Sequence, residues 1–146
     1  MIALIQRVTE AHVRVGTDTL GAIGTGVLAL VAVQRDDREA TAGRLLERLL
    51  GYRLFADEAG RMNVSLRQAR GGLLLVPQFT LAADTRKGTR AGFSQAAEPA
   101  QAQRLFGLLV ERARAAYAPV SAGVFGAHMQ VALVNDGPVT FWLEAT

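Results

Sequence analysis

Residues 73–81 read Leu-Leu-Leu-Val-Pro-Gln-Phe-Thr-Leu, an apolar run whose second half carries polar side chains. Residues 26–33, Gly-Val-Leu-Ala-Leu-Val-Ala-Val, form a similar apolar run earlier in the chain. Strands that are buried on both faces have continuous runs of this kind, whereas half-exposed strands alternate between apolar and polar side chains. We therefore predict two buried strands, at 26–33 and at 73–81.

Weaker strand patterns flank these two runs. Alternating side chains predict strands at 2–9, 11–15, 62–66, 121–125, 129–135 and 139–145, and glycines at 16, 21, 24 and 26 mark turns. The last two strands are joined by Asn135-Asp136-Gly137-Pro138, and Asp-Gly between alternating strands is a strong hairpin signal. We expect a hairpin turn at these four residues.

Two segments show helical periodicity instead. Leucines at 45, 46, 49 and 50 lie among Arg and Glu and predict an amphipathic helix from Asp36 to about Leu54, with Asp36 or Asp37 as its cap. A second helix is predicted from near Pro99 to about Tyr117, because a proline in the first turn lacks only an N–H that would have had no partner. These elements predict one α+β domain over residues 1–146, with a mixed or antiparallel sheet or barrel-like β core and two main helices.

The composition excludes several classes of site. The 146 residues are 50% hydrophobic and 20% charged, which is typical of a folded domain with a substantial core. There is no cysteine, so disulfides, thiolate zinc sites and cysteine nucleophiles are impossible. The two histidines, His12 and His128, lack a metal-ligand spacing. We expect no metal and no other cofactor.

The sequence indicates the location and the partners of the protein less strongly than it indicates the fold. No apolar run reaches the roughly 18 residues that a membrane helix needs, and residues 1–8 lack the pattern of a signal peptide. We therefore expect a cytoplasmic protein that does not bind membranes. The formal net charge of +3 favours an encounter with phosphates without proving one. Residues 82–92 include Thr-Arg-Lys-Gly-Thr-Arg and are predicted to form an exposed basic loop.

The residue types alone give only an outline of a functional site. Gln78, Phe79 and Thr80 interrupt an apolar strand, although a threonine there is typically a strand-end hydroxyl bonded to the backbone. No carboxylate has a spacing that would orient His128, so a structural role is the better interpretation of that residue. The acid pairs at 36–37 and 57–58 are typical of solvated caps and turns. Nothing in the spacing indicates a base, a nucleophile or a metal site.

Several segments together carry a more specific signal. They are Gln6-Arg7-Val8, Asp36, Met62-Asn63, Gln78-Phe79-Thr80-Leu81, Lys87-Gly88 with Arg90 and Phe93, Phe125-Gly126-Ala127 with Met129, and Asn135-Asp136-Gly137-Pro138-Val139-Thr140. In this order and spacing, over essentially the whole chain, they resemble the D-aminoacyl-tRNA deacylases of the bacterial and eukaryotic type. The resemblance implies an α+β fold that forms a two-fold homodimer. It also implies hydrolysis of the ester between tRNA and a D-amino acid or glycine.

The resemblance further implies which residues form the site at the dimer interface. One subunit would supply Gln78, Phe79 and Thr80 as the catalytic strand, together with Met129. The partner would supply Gly137 and Pro138, joined by a cis peptide bond, and Arg7 would support that loop. The main-chain carbonyls of Gly-Pro would exclude the Cβ atom of an L-residue while sparing glycine. Weak candidates for contacts to the RNA are Arg86, Lys87 and Arg90.

An aminoacyl ester is already activated, so modest oxyanion stabilisation and a positioned water suffice for its hydrolysis. Backbone N–H groups near Phe79 and Thr80 would form the oxyanion hole, and the 2′-hydroxyl of the terminal adenosine would transfer the proton. Thr80 would orient rather than attack, because the sequence offers no base beside it.

The chain departs from the family pattern at two places. Pro77 stands where the family has serine, and Ala91-Gly92 stand where it has Pro-Ser, so we expect retained activity with an altered rate or amino-acid preference. A non-catalytic tRNA-binding module on the same dimeric fold is the first alternative, because of the basic loop and the missing triad. An editing hydrolase for misattached L-amino acids is the second. We expect no DNA partner.

Overall fold

The computed structural model describes the whole chain, from Met1 to Thr146. Its strands are β1 (Ile2–Val15), β2 (Asp18–Ile23), β3 (Gly26–Ala32), β4 (Arg53–Ala56), β5 (Met62–Ser65), β6 (Gly72–Pro77), β7 (Val120–Ala122) and β8 (Gln130–Glu144). Its helices are α1 (Glu39–Gly51), the single turn α2 (Leu66–Ala69) and α3 (Pro99–Ala116), and one 3₁₀ turn covers Phe79–Ala82. The predicted α+β class and the two main helices are confirmed.

Six of the strands form one mixed sheet that is nearly closed into a barrel. On one side β1 pairs with β8 along its length, and on the other side it pairs first with β3 and then with β2. The sheet continues from β3 to β6 and β7 in parallel pairs. β7 then approaches β2, where the Ser121 hydroxyl donates a hydrogen bond of 3.2 Å to the Ala22 carbonyl. The barrel-like core was among the predicted arrangements.

Both faces of β3 and β6 are buried, as their apolar runs predict. Leu73 and Leu75 belong to the larger core cluster, which also contains the buried leucines of α1 and α3. Leu74 and Val76, which point the other way, belong to a second cluster with apolar residues of β1, β2 and β3. Burial stabilises each such side chain by roughly 1.5–3 kcal/mol. The same two strands therefore anchor the helices on one face and fill the barrel on the other.

The parallel pair of β3 and β6 begins where two glycines approach closely. A Cβ atom at Gly26 would lie 2.0 Å from the carbonyl oxygen of Gly72. Backbone on both sides fixes this separation, so no side chain fits at position 26. Gly26 therefore sets the spacing of the central strands, in addition to ending a turn.

Helix α1 begins three residues later and ends three residues earlier than predicted. Neither Asp36 nor Asp37 caps it. The Asp37 carboxylate instead accepts a hydrogen bond from the Gln34 N–H at 2.6 Å and pairs with the Met1 ammonium at 2.5 Å. The N-cap is Arg38, whose N–H donates to the Thr41 hydroxyl at 3.1 Å. After the helix the chain enters β4, which pairs with β5 and was missed from sequence.

The predicted strand at 73–81 is wrong beyond Pro77. The Gln78 N–H still bonds to the Val31 carbonyl at 2.7 Å, but the chain then turns. The N–H of Leu81 donates to the Gln78 carbonyl at 3.3 Å, and this bond replaces the strand ladder with a 3₁₀ turn. Gln78, Phe79 and Thr80 therefore lie on a turn at the carboxyl end of β6.

The predicted hairpin at 135–138 is also wrong, because β8 runs through it without reversing. Both halves of β8 pair antiparallel with β1, so the strands predicted at 129–135 and 139–145 are one. Asn135 lies opposite Val8 and Thr140 lies opposite Gln6, which leaves residues 136–139 opposed by Arg7 alone. This excess forms a bulge. We call residues 136–139 the β8 bulge.

The remaining differences concern strand limits. The strands predicted at 2–9 and 11–15 are one strand, β1, which bulges rather than breaks. The strand predicted at 121–125 covers only Val120–Ala122. β2 is not predicted from sequence, because its glycine and its exposed polar residues are typical of turns. None of the helices combines the length and the apolar composition that crossing a bilayer requires.

Candidate active site

A cleft of about 460 Å³ opens at the carboxyl end of β6. One part of its wall comes from the end of β6 and the 3₁₀ turn, and another comes from the segment between β7 and β8. Its lining includes Pro77, Gln78, Phe79, Phe125, His128 and Met129. Gln78, Phe79 and Met129 of the sequence-predicted site thus lie together in one chain.

The polar groups of the 3₁₀ turn are arranged around the Thr80 hydroxyl. The Gln78 side-chain amide donates a hydrogen bond of 2.5 Å to Thr80 Oγ1, so the hydroxyl hydrogen is directed elsewhere. Thr80 is exposed, and no carboxylate or imidazole contacts its hydroxyl. The N–H groups at the start of such a turn have no partner inside it. The backbone N–H groups of Phe79 and Thr80 are in this position.

The opposite wall is shaped by Met129. Its sulfur accepts a hydrogen bond of 3.4 Å from the Val124 N–H. A Cβ atom at Gly123 would lie 2.8 Å from that sulfur, so glycine at this position leaves Met129 its place. His128 lies beside it, exposed and without a side-chain hydrogen bond to the protein. Its position at the cleft was not predicted from sequence.

The β8 bulge is exposed and held at its base. Arg7 Nε donates a hydrogen bond of 3.0 Å to the Asp136 carbonyl, and Arg7 Nη1 donates one of 2.8 Å to the Leu54 carbonyl. The Val139 N–H donates to Asn135 Oδ1 at 2.9 Å. The peptide bond between residues 137 and 138 is cis. Arg7 therefore contacts the loop that carries Gly137 and Pro138.

A single chain does not bring the β8 bulge to the cleft. The order β8, β1, β3, β6 separates Gly137 from Gln78 by three strand spacings, which amounts to roughly 14 Å at about 4.8 Å each. The two groups are also offset along the strands. Pro77 is level with Ala3 of β1, whereas the bulge lies opposite Arg7, four residues further along that strand. The sequence-predicted residues thus form two separate groups in one subunit.

The predicted basic loop forms a groove beside the cleft. Asp84 and Gly92 pair through two backbone hydrogen bonds of 2.7 and 3.0 Å, which close the loop. We call the space bounded by Asp84, Arg86, Lys87, Arg90, Gly92 and Ser94 the basic groove. The Arg86 guanidinium holds the pKa of the Asp84 carboxyl well below its usual range by donating hydrogen bonds to it. All three predicted RNA-contacting residues lie here.

No group of three or more His, Cys, Asp or Glu side chains in the chain is arranged to hold a metal ion. The 3₁₀ turn at the cleft offers an amide, a hydroxyl and backbone N–H groups, and His128 adds an exposed imidazole to the cleft wall.

Comparison with known proteins identifies the family to which the chain belongs. The family model described as D-Tyr-tRNA(Tyr) deacylase matches residues 4–144. A D-aminoacyl-tRNA deacylase of Thioalkalivibrio sulfidiphilus is 69% identical over 99% of this chain and 97% of its own. One from Cronobacter sakazakii is 58% identical over 99% of both chains.

Two solved structures share the fold. A c-Myc DNA unwinding element binding protein superposes with a TM-score of 0.94 at 36% identity, covering 100% of this chain and 99% of its own. A probable eukaryotic D-amino acid tRNA deacylase gives a TM-score of 0.86 at 18% identity, covering 98% of both chains, which is a likeness of fold. On the sequence matches over nearly its whole length, the chain belongs to the D-Tyr-tRNA(Tyr) deacylase family.

Proposed function

We propose that this protein hydrolyses the ester bond that joins a D-amino acid to the 3′-terminal adenosine of tRNA. Membership of the family and relatives named D-aminoacyl-tRNA deacylase at 57–69% identity support the reaction. The observation that carries the proposal for this chain is the Gln78–Thr80 turn at the cleft. It presents an amide, a hydroxyl and backbone N–H groups but no nucleophile with its base. Such a set suits an activated ester better than an amide.

In the proposed mechanism a water molecule attacks the ester carbonyl. The backbone N–H groups of Phe79 and Thr80 donate hydrogen bonds to the oxyanion that develops. The Gln78 amide occupies one acceptor site of Thr80 Oγ1, which leaves the hydroxyl hydrogen to orient the water or the ester. The 2′-hydroxyl of the adenosine passes a proton from the water to the departing 3′-oxygen. Thr80 is an orienting group and forms no covalent intermediate.

The selection against L-residues requires a second subunit. We assign it to the β8 bulge of the partner, where main-chain carbonyls of Gly137 and Pro138 take the space that the Cβ of an L-residue would need. Two features support this assignment. The bulge lies far from the cleft of its own chain, and Arg7 holds it in an exposed position. Glycine has no Cβ, so glycyl-tRNA is also a substrate.

The edge of β8 supports a two-fold homodimer. This strand of 15 residues pairs with β1 on one side only. Its exposed side chains include Val134 and Trp142, which are 49% and 51% exposed. Large apolar side chains on an unpaired edge favour association with another chain. We place the protein in the cytoplasm, where aminoacyl-tRNA is used.

The test compares three substrates with purified protein: D-tyrosyl-tRNA, L-tyrosyl-tRNA and glycyl-tRNA. We expect release of D-tyrosine and glycine, and survival of the L-ester over the same period. Tight binding of tRNA without any release would identify a binding module instead. Rapid hydrolysis of the L-ester would contradict the assignment of the β8 bulge, while leaving the ester chemistry in place.

A further inference from the structure

The cleft, an exposed aromatic pair and the basic groove follow one another along the surface. The aromatic pair consists of Phe79 and Phe93, whose ring centroids lie 5.1 Å apart with their planes inclined at 43°. Phe79 lines the cleft, and the neighbours of Phe93, Gly92 and Ser94, line the basic groove. The three features therefore form one track that leads away from Gln78.

The basic groove has a positive charge that the protein does not neutralise. It measures about 490 Å³, and none of its lining residues is hydrophobic. Asp84 is its single acid and pairs with Arg86 at 2.6 Å. Lys87 and Arg90 form no ion pair with any carboxylate of the chain. Two uncompensated cations three residues apart suit the successive phosphates of a nucleic-acid strand.

The aromatic pair is exposed although its rings are large and apolar. Phe79 is 56% exposed and Phe93 is 42% exposed. Proteins hold single-stranded nucleic acids by stacking bases on aromatic side chains beside a groove of cations. A duplex offers no free base faces for such stacking. The combination of aromatic pair and basic groove therefore points to a single strand.

We propose that the aromatic pair and the basic groove bind the single-stranded nucleotides that precede the terminal adenosine of the substrate RNA. This rests on the proposed function, which puts the terminal adenosine in the cleft. One base stacks on Phe93, and the phosphates on its 5′ side contact Lys87 and Arg90. Stacking and charge do not read sequence, so the track accepts the 3′ end of any tRNA.

Binding of uncharged tRNA, compared with the same tRNA lacking its single-stranded 3′ nucleotides, tests the proposal. The test variants are Phe93→Leu and the double variant Lys87→Ala/Arg90→Ala. Phe93→Tyr keeps an aromatic face, and Arg67→Ala removes an exposed cation of α2, at the opposite end of β6. Unchanged melting temperatures show that each variant is folded.

We expect truncation of the RNA to weaken binding by wild type by more than about tenfold, because it removes the stacked base together with the phosphate and adenosine contacts. Phe93→Leu weakens binding of intact tRNA about tenfold and leaves binding of the truncated tRNA unchanged, so its loss on truncation is about tenfold smaller than that of wild type. Phe93→Tyr and Arg67→Ala behave as wild type. The double variant makes the slope of log Kd against log salt shallower by about 1.4, since each contact to a single strand contributes about 0.7.

The proposal is overturned if every variant loses the same factor on truncation as wild type, because the groove would then contact the duplex. It is equally overturned if Arg67→Ala weakens binding as much as the double variant. No ester is cleaved in this experiment. A protein that binds in the expected pattern but hydrolyses nothing would therefore refute the proposed function, while the proposed binding of single-stranded nucleotides would remain supported.

Discussion

At the scale of single residues, the cleft depends on small polar groups whose neighbours restrict them. Thr80 is the clearest example, because the Gln78 amide fixes its oxygen and nothing nearby removes its proton. A hydroxyl in this setting can orient a water molecule or a carbonyl, but it cannot become a strong nucleophile. For this reason the proposed mechanism takes the proton transfer from the substrate and the oxyanion stabilisation from backbone N–H groups.

Replacement of Thr80 by valine keeps the shape and removes the hydroxyl. We expect kcat on D-tyrosyl-tRNA to fall about tenfold, well short of the 10²–10⁴-fold that loss of a general base costs. A terminal 2′-deoxyadenosine should reduce the rate far more. Thr17→Val, in the exposed turn after β1, is the matched control. Complete loss of turnover by Thr80→Val with binding intact would show that the threonine drives the reaction.

Gly123→Ala tests the position of Met129. The new Cβ would lie 2.8 Å from the Met129 sulfur, so the side chain must shift, and we expect KM for D-tyrosyl-tRNA to rise about tenfold. Gly126 is not suitable for the same test, because at its φ of +77° any other residue would strain the backbone. Steady-state kinetics check the expectation, and an unchanged KM would mean that Met129 does not shape the substrate site.

At the scale of elements, the sequence predicts the strands and helices that depend on local pattern. It fails where the structure depends on pairing with a distant strand. The strand β3, the strand β6 as far as Pro77 and the helix beginning at Pro99 follow from local pattern, and the structure contains all three. Asp-Gly at 136–137 has the same local pattern in a hairpin as in a bulge. The decision depends on β1, which lies more than 120 residues earlier and runs past both halves of β8.

The same difference between local pattern and distant contact explains which site residues the sequence could predict. Gln78 and Phe79 could be selected because they interrupt an apolar run. The pairing of Phe79 with Phe93 could not be foreseen, because it depends on how the loop closes between Asp84 and Gly92. The local pattern makes Asp36 and Asp37 candidate helix caps, and it cannot reveal that Asp37 pairs with the Met1 ammonium across 36 residues of sequence.

Arg7→Ala tests whether β1 positions the β8 bulge. Without the guanidinium, the Asp136 and Leu54 carbonyls lose their hydrogen bonds and the loop gains freedom. A shift of 1 Å can change a rate about 10²-fold, so we expect the ratio of D-ester to L-ester hydrolysis to fall at least tenfold. Arg14→Ala is the control, since that guanidinium donates to Gln130 at the far end of the same strand pair. Equal ratios in both variants would refute the role of Arg7.

Two glycine substitutions test the packing of the elements. Gly26→Ala should lower the free energy of unfolding by more than about 3 kcal/mol, because backbone cannot move aside. Gly107→Ala, in α3 with nothing within 4 Å of the new Cβ, should raise it by roughly 0.5–1 kcal/mol. Urea denaturation measures both. A Gly26→Ala protein as stable as wild type would contradict the close approach of β3 and β6.

At the scale of the whole molecule, the residues proposed for catalysis and those proposed for selection lie on separate parts of one chain. The cleft ends β6, and the β8 bulge lies three strands away on an unpaired edge. The proposed selection requires an interface that places each bulge against the cleft of the other subunit. The proposed selectivity therefore exists only in the dimer.

Cross-linking between chains tests this claim most directly. Because the chain has no native cysteine, only the introduced thiols can react. One chain carries Asp136→Cys and the other carries Gln78→Cys; the two are mixed, unfolded, refolded and treated with a short bifunctional thiol reagent. We predict a covalent dimer containing one chain of each kind, formed only in the mixture. A protein that stays monomeric, or a mixture that yields no such product, would contradict the account.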